Sequence, residues 1–164
     1  MDDIFVMRAG LEGFAAARAT RHLSESQIDA LAASVSAIDK MLESCEADIS
    51  LFLTENAKFH SIIINASKSA AIERVLAGLV QPPLVVRLAK HYGLAHFKQS
   101  NEHHKELICA FRARDPEWAK AVMESHVRAA RRAFLYGVGI ANEIQDAKEP
   151  QLESLEVVKH LGVM

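Results

Sequence analysis

Cysteine, proline and glycine are scarce in this sequence: its 164 residues include two, four and seven of them. Two cysteines cannot build the dense disulfide framework of a small secreted domain, so we expect Cys45 and Cys109 to be reduced thiols of a cytoplasmic protein. The most common residues are Ala, Leu and Glu, and Ile and Val are also frequent. This composition favours helices throughout the chain.

The sequence also lacks a large charge of one sign and a long apolar run. Its 19 basic and 21 acidic residues give a net charge of −2, so the chain has no general attraction for nucleic acid or an anionic membrane. No apolar run approaches the ~18 residues of a membrane span. The first residues, Met1-Asp2-Asp3-Ile4, are acidic where a secretory signal is basic.

Apolar residues recur at helical spacing from end to end, and no segment alternates with a period of two for long enough to be a strand. The pattern predicts an all-α fold, an antiparallel bundle of six to seven helices. We expect residues 1–148 to form one helical domain and residues 149–164 to be a short helix or tail. The predicted helices cover residues 4–20, 25–42, 47–66, 70–79, 84–91, 98–112 and 116–146. On the first helix, the stripe predicted to face the core is Ile4, Met7, Leu11, Phe14 and Ala15.

Local start signals support several of these helices. Ser24 followed by Gln27 forms a capping box, and Asp115 before Pro116 places an N-cap ahead of a proline in the first turn. In the same way Ser69 is expected to cap the helix that follows it.

Polar side chains inside the most apolar segment point to a functional site. Asn56 and His60 are four residues apart, so on a helix they share one face, and that face is otherwise apolar. Burying an unpaired amide or imidazole costs roughly 1–3 kcal/mol, so both side chains need partners. His104 and His126 also lie on apolar helix faces. Three imidazoles and an amide oxygen from three helices would make a metal site.

The spacing alone leaves two interpretations of these histidines open. One histidine on an apolar face is usually a core residue with a hydrogen bond, whereas three on three helices favour a metal centre. His103 is rotated by about 100° from its neighbour His104 and is expected on the flank of its helix. The remaining histidines lie at predicted turns or helix ends and are expected to be solvated: His22, His91, His96 and His160.

Five short motifs follow one another in an order that resembles a known family. They are Val6-Met7-Arg8 with Leu11-Glu12, Asn56-Ala57-Lys58-Phe59-His60, Ala66-Ser67, Glu102-His103-His104 with Ala110, and Asp115 with Ala119 and His126. Together, over about Arg8 to His126, they are fairly specific. The chain resembles the FadR-type C-terminal domain (FCD) of GntR-family bacterial transcriptional regulators, which is their ligand-sensing half.

The resemblance implies a site as well as a fold. By it, Asn56, His60, His104 and His126 would bind a divalent metal, zinc first, with nickel or manganese as alternatives. Arg8 would face the cavity of a small organic acid effector. The family's usual first ligand is Asp, so Asn56 removes one negative charge, and metal affinity should fall or metal preference shift.

The resemblance also implies partners. The family domain is a helical bundle that is usually a homodimer, and it controls DNA binding by an N-terminal winged helix-turn-helix domain. We expect that second domain to be missing from this chain, which would then be a fragment or a stand-alone sensor and would reach DNA only through the missing domain.

Two other functions use the same residues. A metal-dependent enzyme acting on a small carboxylate would activate water on the metal, but no inward Asp or Glu is expected near the ligands as a general base. A metal-free bundle that binds an apolar acyl ligand is the second, and the three histidines argue against it. We therefore expect a sensor domain and not an enzyme.

Overall fold

The computed structural model describes residues 2–44, 48–79 and 93–148, with side chains from Asp3 to Tyr136 in those ranges. These ranges contain helices and no strand, so the all-α prediction is confirmed. The helix predicted over 84–91 and the tail over 149–164 lie outside the described residues. Six helices are described: α1 (Asp2–Ala19), α2 (Glu25–Glu43), α3 (Ile49–Ala66), α4 (Ala70–Leu79), α5 (Leu94–Arg112) and α6 (Pro116–Lys148).

The predicted caps at Ser24 and Asp115 are confirmed by side-chain contacts with the backbone. The Ser24 hydroxyl accepts a hydrogen bond from the Gln27 N–H at 3.3 Å, and the Gln27 side chain accepts one from the Ser24 N–H at 3.0 Å. At the start of α6 the Asp115 carboxylate accepts from the Trp118 N–H at 2.9 Å. These contacts satisfy backbone donors that would otherwise have no partner.

The start of α5 differs from the prediction. The helix begins at Leu94, four residues before the predicted start, because Gly93 takes an extended conformation at the N-cap position and no residue after it interrupts the helix. The ranges predicted from the sequence, 84–91 and 98–112, leave Gly93 between two helices, where it also fits the end of the first one. The earlier start places His96 inside the first turn of α5.

The first helix packs along α6 and also contacts α3 and α4, while α2 packs on α3 and α5, and α5 on α6. Phe5 near the start of α1 stacks on Phe134 near the middle of α6, with ring centroids 6.3 Å apart. None of the helices in the described part is both long and apolar enough to cross a membrane. The largest fully buried apolar side chains of the core are Phe59, Phe97, Phe111, Ile28, Leu31, Ile38, Ile63, Leu107 and Met123.

The buried face of α1 is only partly the predicted one. Met7 and Phe14 are 46% and 51% exposed, so the predicted stripe was wrong at these two positions. Ala15 is buried as predicted, and Leu11 packs beside it against α4. The face that packs on the bundle carries mostly small residues: Phe5, Ala9, Glu12, Ala16 and Ala19. Small side chains let α1 approach its neighbours closely, and this requirement outweighs the burial of larger apolar groups.

Gly13 marks one such close approach. A Cβ atom at this position would lie 2.7 Å from Cγ of Glu124 on α6, whereas a Cβ atom at Gly10 would meet nothing within 4 Å. The two glycines of α1 therefore have different roles: Gly13 makes room for α6, and Gly10 only lowers helix propensity.

The two glycines should respond oppositely to alanine. Gly10→Ala is expected to raise the free energy of unfolding by about 1 kcal/mol through helix propensity. Gly13→Ala is expected to lower it, because overpacking costs about 1–3 kcal/mol. Urea unfolding followed by circular dichroism measures both. Adding Glu124→Ala to Gly13→Ala should restore stability; a double variant as unstable as Gly13→Ala would show that the contact with Glu124 is not the cause.

Candidate metal centre

Three of the four predicted ligands converge in the core. His60 on α3, His104 on α5 and His126 on α6 are 8%, 0% and 5% exposed, and one nitrogen from each lies within 4.8 Å of the others. The Nε2 atoms of His60 and His126 are 3.0 Å apart. The three helices thus place three imidazole donors around one point.

Helical periodicity and stacking hold the rings in place. Each histidine shares its helix face with buried apolar residues one turn away, Ile63 on α3, Leu107 on α5 and Met123 on α6. Phe59, the neighbour of His60, stacks on the His104 ring with centroids 4.0 Å apart and planes 14° from parallel. Packing therefore fixes the orientation of His104 even though hydrogen bonds do not.

Several nitrogens of the cluster lack hydrogen bonds. Within the part of the chain that the structure describes, both nitrogens of His104 and Nδ1 of His126 are buried without a hydrogen-bond partner. Buried polar side-chain atoms in proteins are nearly always paired. A divalent ion at the cluster would use one nitrogen of each ring, so the residues present fit such a group.

The spacing of the nitrogens also fits a metal ion. Zinc–nitrogen bonds of ~2.0–2.1 Å in a tetrahedron place the ligand nitrogens roughly 3.3 Å apart. The His60–His126 separation of 3.0 Å is close to that value. No separation in the cluster exceeds 4.8 Å, so only small side-chain rotations are needed.

The protonation states favour metal binding. Burial lowers the pKa of His104 and of His126 well below the usual 6.5, and the neighbouring imidazoles lower both pKa values further. Both rings are therefore neutral at pH 7, and the neutral imidazole is the form that ligates a metal.

Glu12 is a site residue that the sequence analysis missed. It is 2% exposed, its Oε2 lies 2.6 Å from Nδ1 of His60, and its Oε1 accepts a hydrogen bond from Nε of Arg8 at 2.8 Å. The expectation of no inward carboxylate near the ligands was therefore wrong. In the sequence, steps of three and four residues from Glu12 reach the small residues Ala9, Ala15 and Ala16, but this spacing does not show that their face is the buried one.

The charge on Glu12 determines which nitrogen of His60 is protonated. Burial raises the pKa of the Glu12 carboxyl, but the charges and hydrogen bonds of Arg8 and His60 outweigh burial and lower it to about 2. An ionised carboxylate only accepts hydrogen bonds. The proton in the contact therefore belongs to Nδ1 of His60, and Nε2 of that ring faces the cluster.

A cavity of about 300 Å³ opens beside the cluster, and it brings together the other predicted site residues. Asn56, His60 and His126 line it together with Arg8, whereas His104 lies behind them. The opposite walls are apolar and come from α3, α4 and α6: Phe52, Leu53, Ile64, Leu76, Val127 and Ala130. The cavity is thus polar at the cluster and mostly apolar elsewhere, with Glu73 as a charged residue on the α4 side.

Two further histidines lie near the cavity. His96 is buried and lines it, so the expectation that His96 is solvated was wrong; burial, and then the charge of His103, lowers the pKa of His96 to about 4. His103 is half-buried on the flank of α5, and its ring lies edge-on to that of His126 with centroids 5.9 Å apart. His22 is exposed as expected, whereas His91 and His160 lie outside the described residues.

Fold and site together define a helical ligand-binding domain with a candidate metal centre. The sequence model of the FCD domain family matches residues 3–129, and the chain belongs to that family. The FCD domain is the effector-binding domain of GntR-family transcriptional regulators, which bind DNA through an N-terminal domain. No curated protein matches the chain.

The metal-free protein should lose stability as the pH falls below about 6.5. Since His104 and His126 have lowered pKa values, the unfolded chain binds protons there before the folded chain does. Each such histidine then costs up to ~1.4 kcal/mol of unfolding free energy per pH unit. Glu12 contributes a further loss of stability only below its ordinary pKa of 4.5, where the unfolded chain takes up a proton before the folded chain does.

Melting temperatures in a chelator between pH 7.5 and 5 measure this loss. The control is His104→Leu, which removes one titrating ring at similar volume and should give a shallower dependence on pH. Parallel curves for the wild type and His104→Leu would contradict the assignment of the loss to buried neutral histidines.

Proposed function

We propose that this domain binds a divalent metal ion through His60, His104, His126 and Asn56, and that the ion holds a small organic acid effector. The observation that supports the proposal best is His104, which is fully buried with neither nitrogen hydrogen-bonded within the described part of the chain. An imidazole in this state costs folding free energy unless it has a ligand. Metal binding would remove that cost.

The donor set favours zinc as the ion. Three imidazoles suit zinc, and nickel and manganese are the alternatives. All four proposed ligands are neutral, and the charge of Glu12 is opposed by that of Arg8, 2.8 Å away. When bound, the ion would supply positive charge, and an anionic oxygen would bind as a fifth ligand or in place of the weak neutral ligand Asn56. Asn56, in place of an acid, leaves more of that charge available to the effector.

The shape of the cavity suggests what kind of acid it accepts. Its polar end carries Arg8, His60 and His126, and its remaining walls are largely apolar. We infer that the effector is a carboxylate with an apolar body, because the walls away from the cluster are mostly apolar and the charged residue there, Glu73, would repel a second carboxylate.

The same geometry favours a sensor over an enzyme. Glu12 is the buried carboxylate at the cluster, and its two oxygens already accept hydrogen bonds from Arg8 and His60. It is therefore not placed to take a proton from a metal-bound water. We propose a homodimeric, cytoplasmic sensor that acts on DNA through the N-terminal domain typical of its family.

Metal binding should stabilise the fold. An ion at a hundredfold excess over its dissociation constant adds about 2.7 kcal/mol by mass action, so zinc should raise the melting temperature by several degrees and chelator should reverse the rise. His104→Ala should abolish the effect, and His103→Ala, the neighbouring control, should keep it. Asn56→Asp should tighten binding by restoring a charged ligand.

Two results would contradict the metal centre. One is the absence of bound zinc, nickel or manganese after addition of the metal and gel filtration. The other is an equal response to chelator in the wild type and in His104→Ala. The histidines would then be hydrogen-bonded or strained core residues.

The effector should bind only to the metal-loaded protein. A monocarboxylate with an apolar body, such as 4-methylpentanoate, is expected to raise the melting temperature of the zinc-loaded domain, and citrate to raise it less. Chelator should remove the effect. Arg8→Ala should reduce it, because Arg8 pairs with the carboxylate, while Arg21→Ala, an exposed control after α1, should not. Equal responses in the two arginine variants would limit Arg8 to a structural role.

A further inference from the structure

We propose that Glu12 is the positioning residue of the metal centre: its carboxylate holds His60 with Nε2 towards His104 and His126 and joins this ligand to Arg8. The proposal rests on the proposed metal centre, because a residue can position a ligand only if that ligand binds a metal. Through Glu12, α1 takes part in the metal centre, although the proposed metal ligands all lie on other helices.

Glu12 is held firmly in place by its surroundings. The carboxylate is almost fully buried, and each of its two oxygens has one partner on a different side chain. One partner, His60, lies on α3, 48 residues away in the sequence. The other, Arg8, lies one turn earlier on α1 and lines the cavity. A buried carboxylate with such divided contacts has little freedom to move.

The contact with His60 fixes both the orientation and the tautomer of the ring. A carboxylate paired with an arginine accepts hydrogen bonds and donates none, so Nδ1 of His60 donates to Glu12, and Nε2 is the nitrogen left to bind a metal. Carboxylates in this position hold metal-ligating histidines and raise their basicity. The Nε2 atom lies 3.0 Å from Nε2 of His126, within the cluster.

The other two histidines have no such partner. In the described part of the chain His104 is oriented by stacking on Phe59, and Nδ1 of His126 has no hydrogen bond. His60 is thus the one ring of the cluster with a carboxylate behind it, among the residues described. The affinity of the centre should therefore depend on Glu12 more than on any other residue outside the ligand set.

Because Glu12 also pairs with Arg8, it connects the metal centre with the proposed effector site. An effector carboxylate at Arg8 competes with Glu12 for the guanidinium, and a change in that ion pair alters the acceptor that holds His60. Effector and metal then affect each other's affinity, and by linkage the effect is equal in both directions.

The test compares zinc affinity in the wild type, Glu12→Gln and Glu73→Gln by competition with a chromophoric chelator. Glutamine has nearly the size of glutamate, but its NH₂ group cannot accept a hydrogen bond from Arg8 or His60. One of these two donors therefore loses its acceptor, and zinc should bind 10–100-fold more weakly. Glu73 is an exposed carboxylate of the same cavity, and its loss should change affinity by no more than about twofold. Circular dichroism of the metal-free variants checks that they fold.

A second measurement needs no variant. Nitrogen-15 NMR of the zinc-loaded wild type should show His60 protonated at Nδ1 and bound through Nε2. Binding through Nδ1 would overturn the proposal even if Glu12→Gln fails to fold. Equal affinity of the wild type and Glu12→Gln would also overturn it, and the metal centre would stand. A wild type that binds no zinc, nickel or manganese would overturn both.

Discussion

Four helices of this domain meet at polar atoms that are out of contact with water, and this constraint governs the architecture around them. Glu12, His60, His104 and His126 come from α1, α3, α5 and α6, and none is more than 8% exposed. An unsatisfied polar atom in such surroundings costs about 1–3 kcal/mol. A shift of any of these helices would break contacts that water cannot replace, so the cluster and the helix packing depend on each other.

The caps at Ser24 and Asp115 and the burial of the three histidines were accessible from the sequence because both follow from local rules. A cap requires a side chain within a few residues of the backbone groups it satisfies, as Ser24 and Asp115 show. His104 and His126 lie on faces made apolar by residues three and four positions away. Periodicity therefore predicts that they are buried, although it cannot predict which atoms they meet.

The face of α1 could not be predicted in this way. Large apolar residues such as Val6, Met7 and Phe14 lie on its exposed side, while the buried side carries alanines and Glu12. Burial of large side chains is the usual guide, but here close helix approach decides, as at Gly13. How closely α1 approaches its neighbours is a property of the assembled bundle, so the role of Glu12 can be recognised only in the folded structure. His96 was missed for a related reason, because Gly93 can end one helix or begin another.

Arg8 and Glu12 lie on the same helix, and this helix is a route by which effector binding in the cavity would be transmitted to a DNA-binding domain. The family's DNA-binding domain is N-terminal to this one, and α1 is the first helix of the matched region. The ligand-bearing helix α6 reaches α1 through packing, whereas α3 is also joined to α1 by the Glu12–His60 hydrogen bond of 2.6 Å. On the proposed function, the Arg8–Glu12–His60 contact has one arrangement without the effector and another with it. Effector binding can favour the second arrangement, and move α1, only to the extent that the effector binds it more tightly than the first. A short, buried and directional contact makes that difference large for a small displacement, because its energy falls steeply with distance and angle.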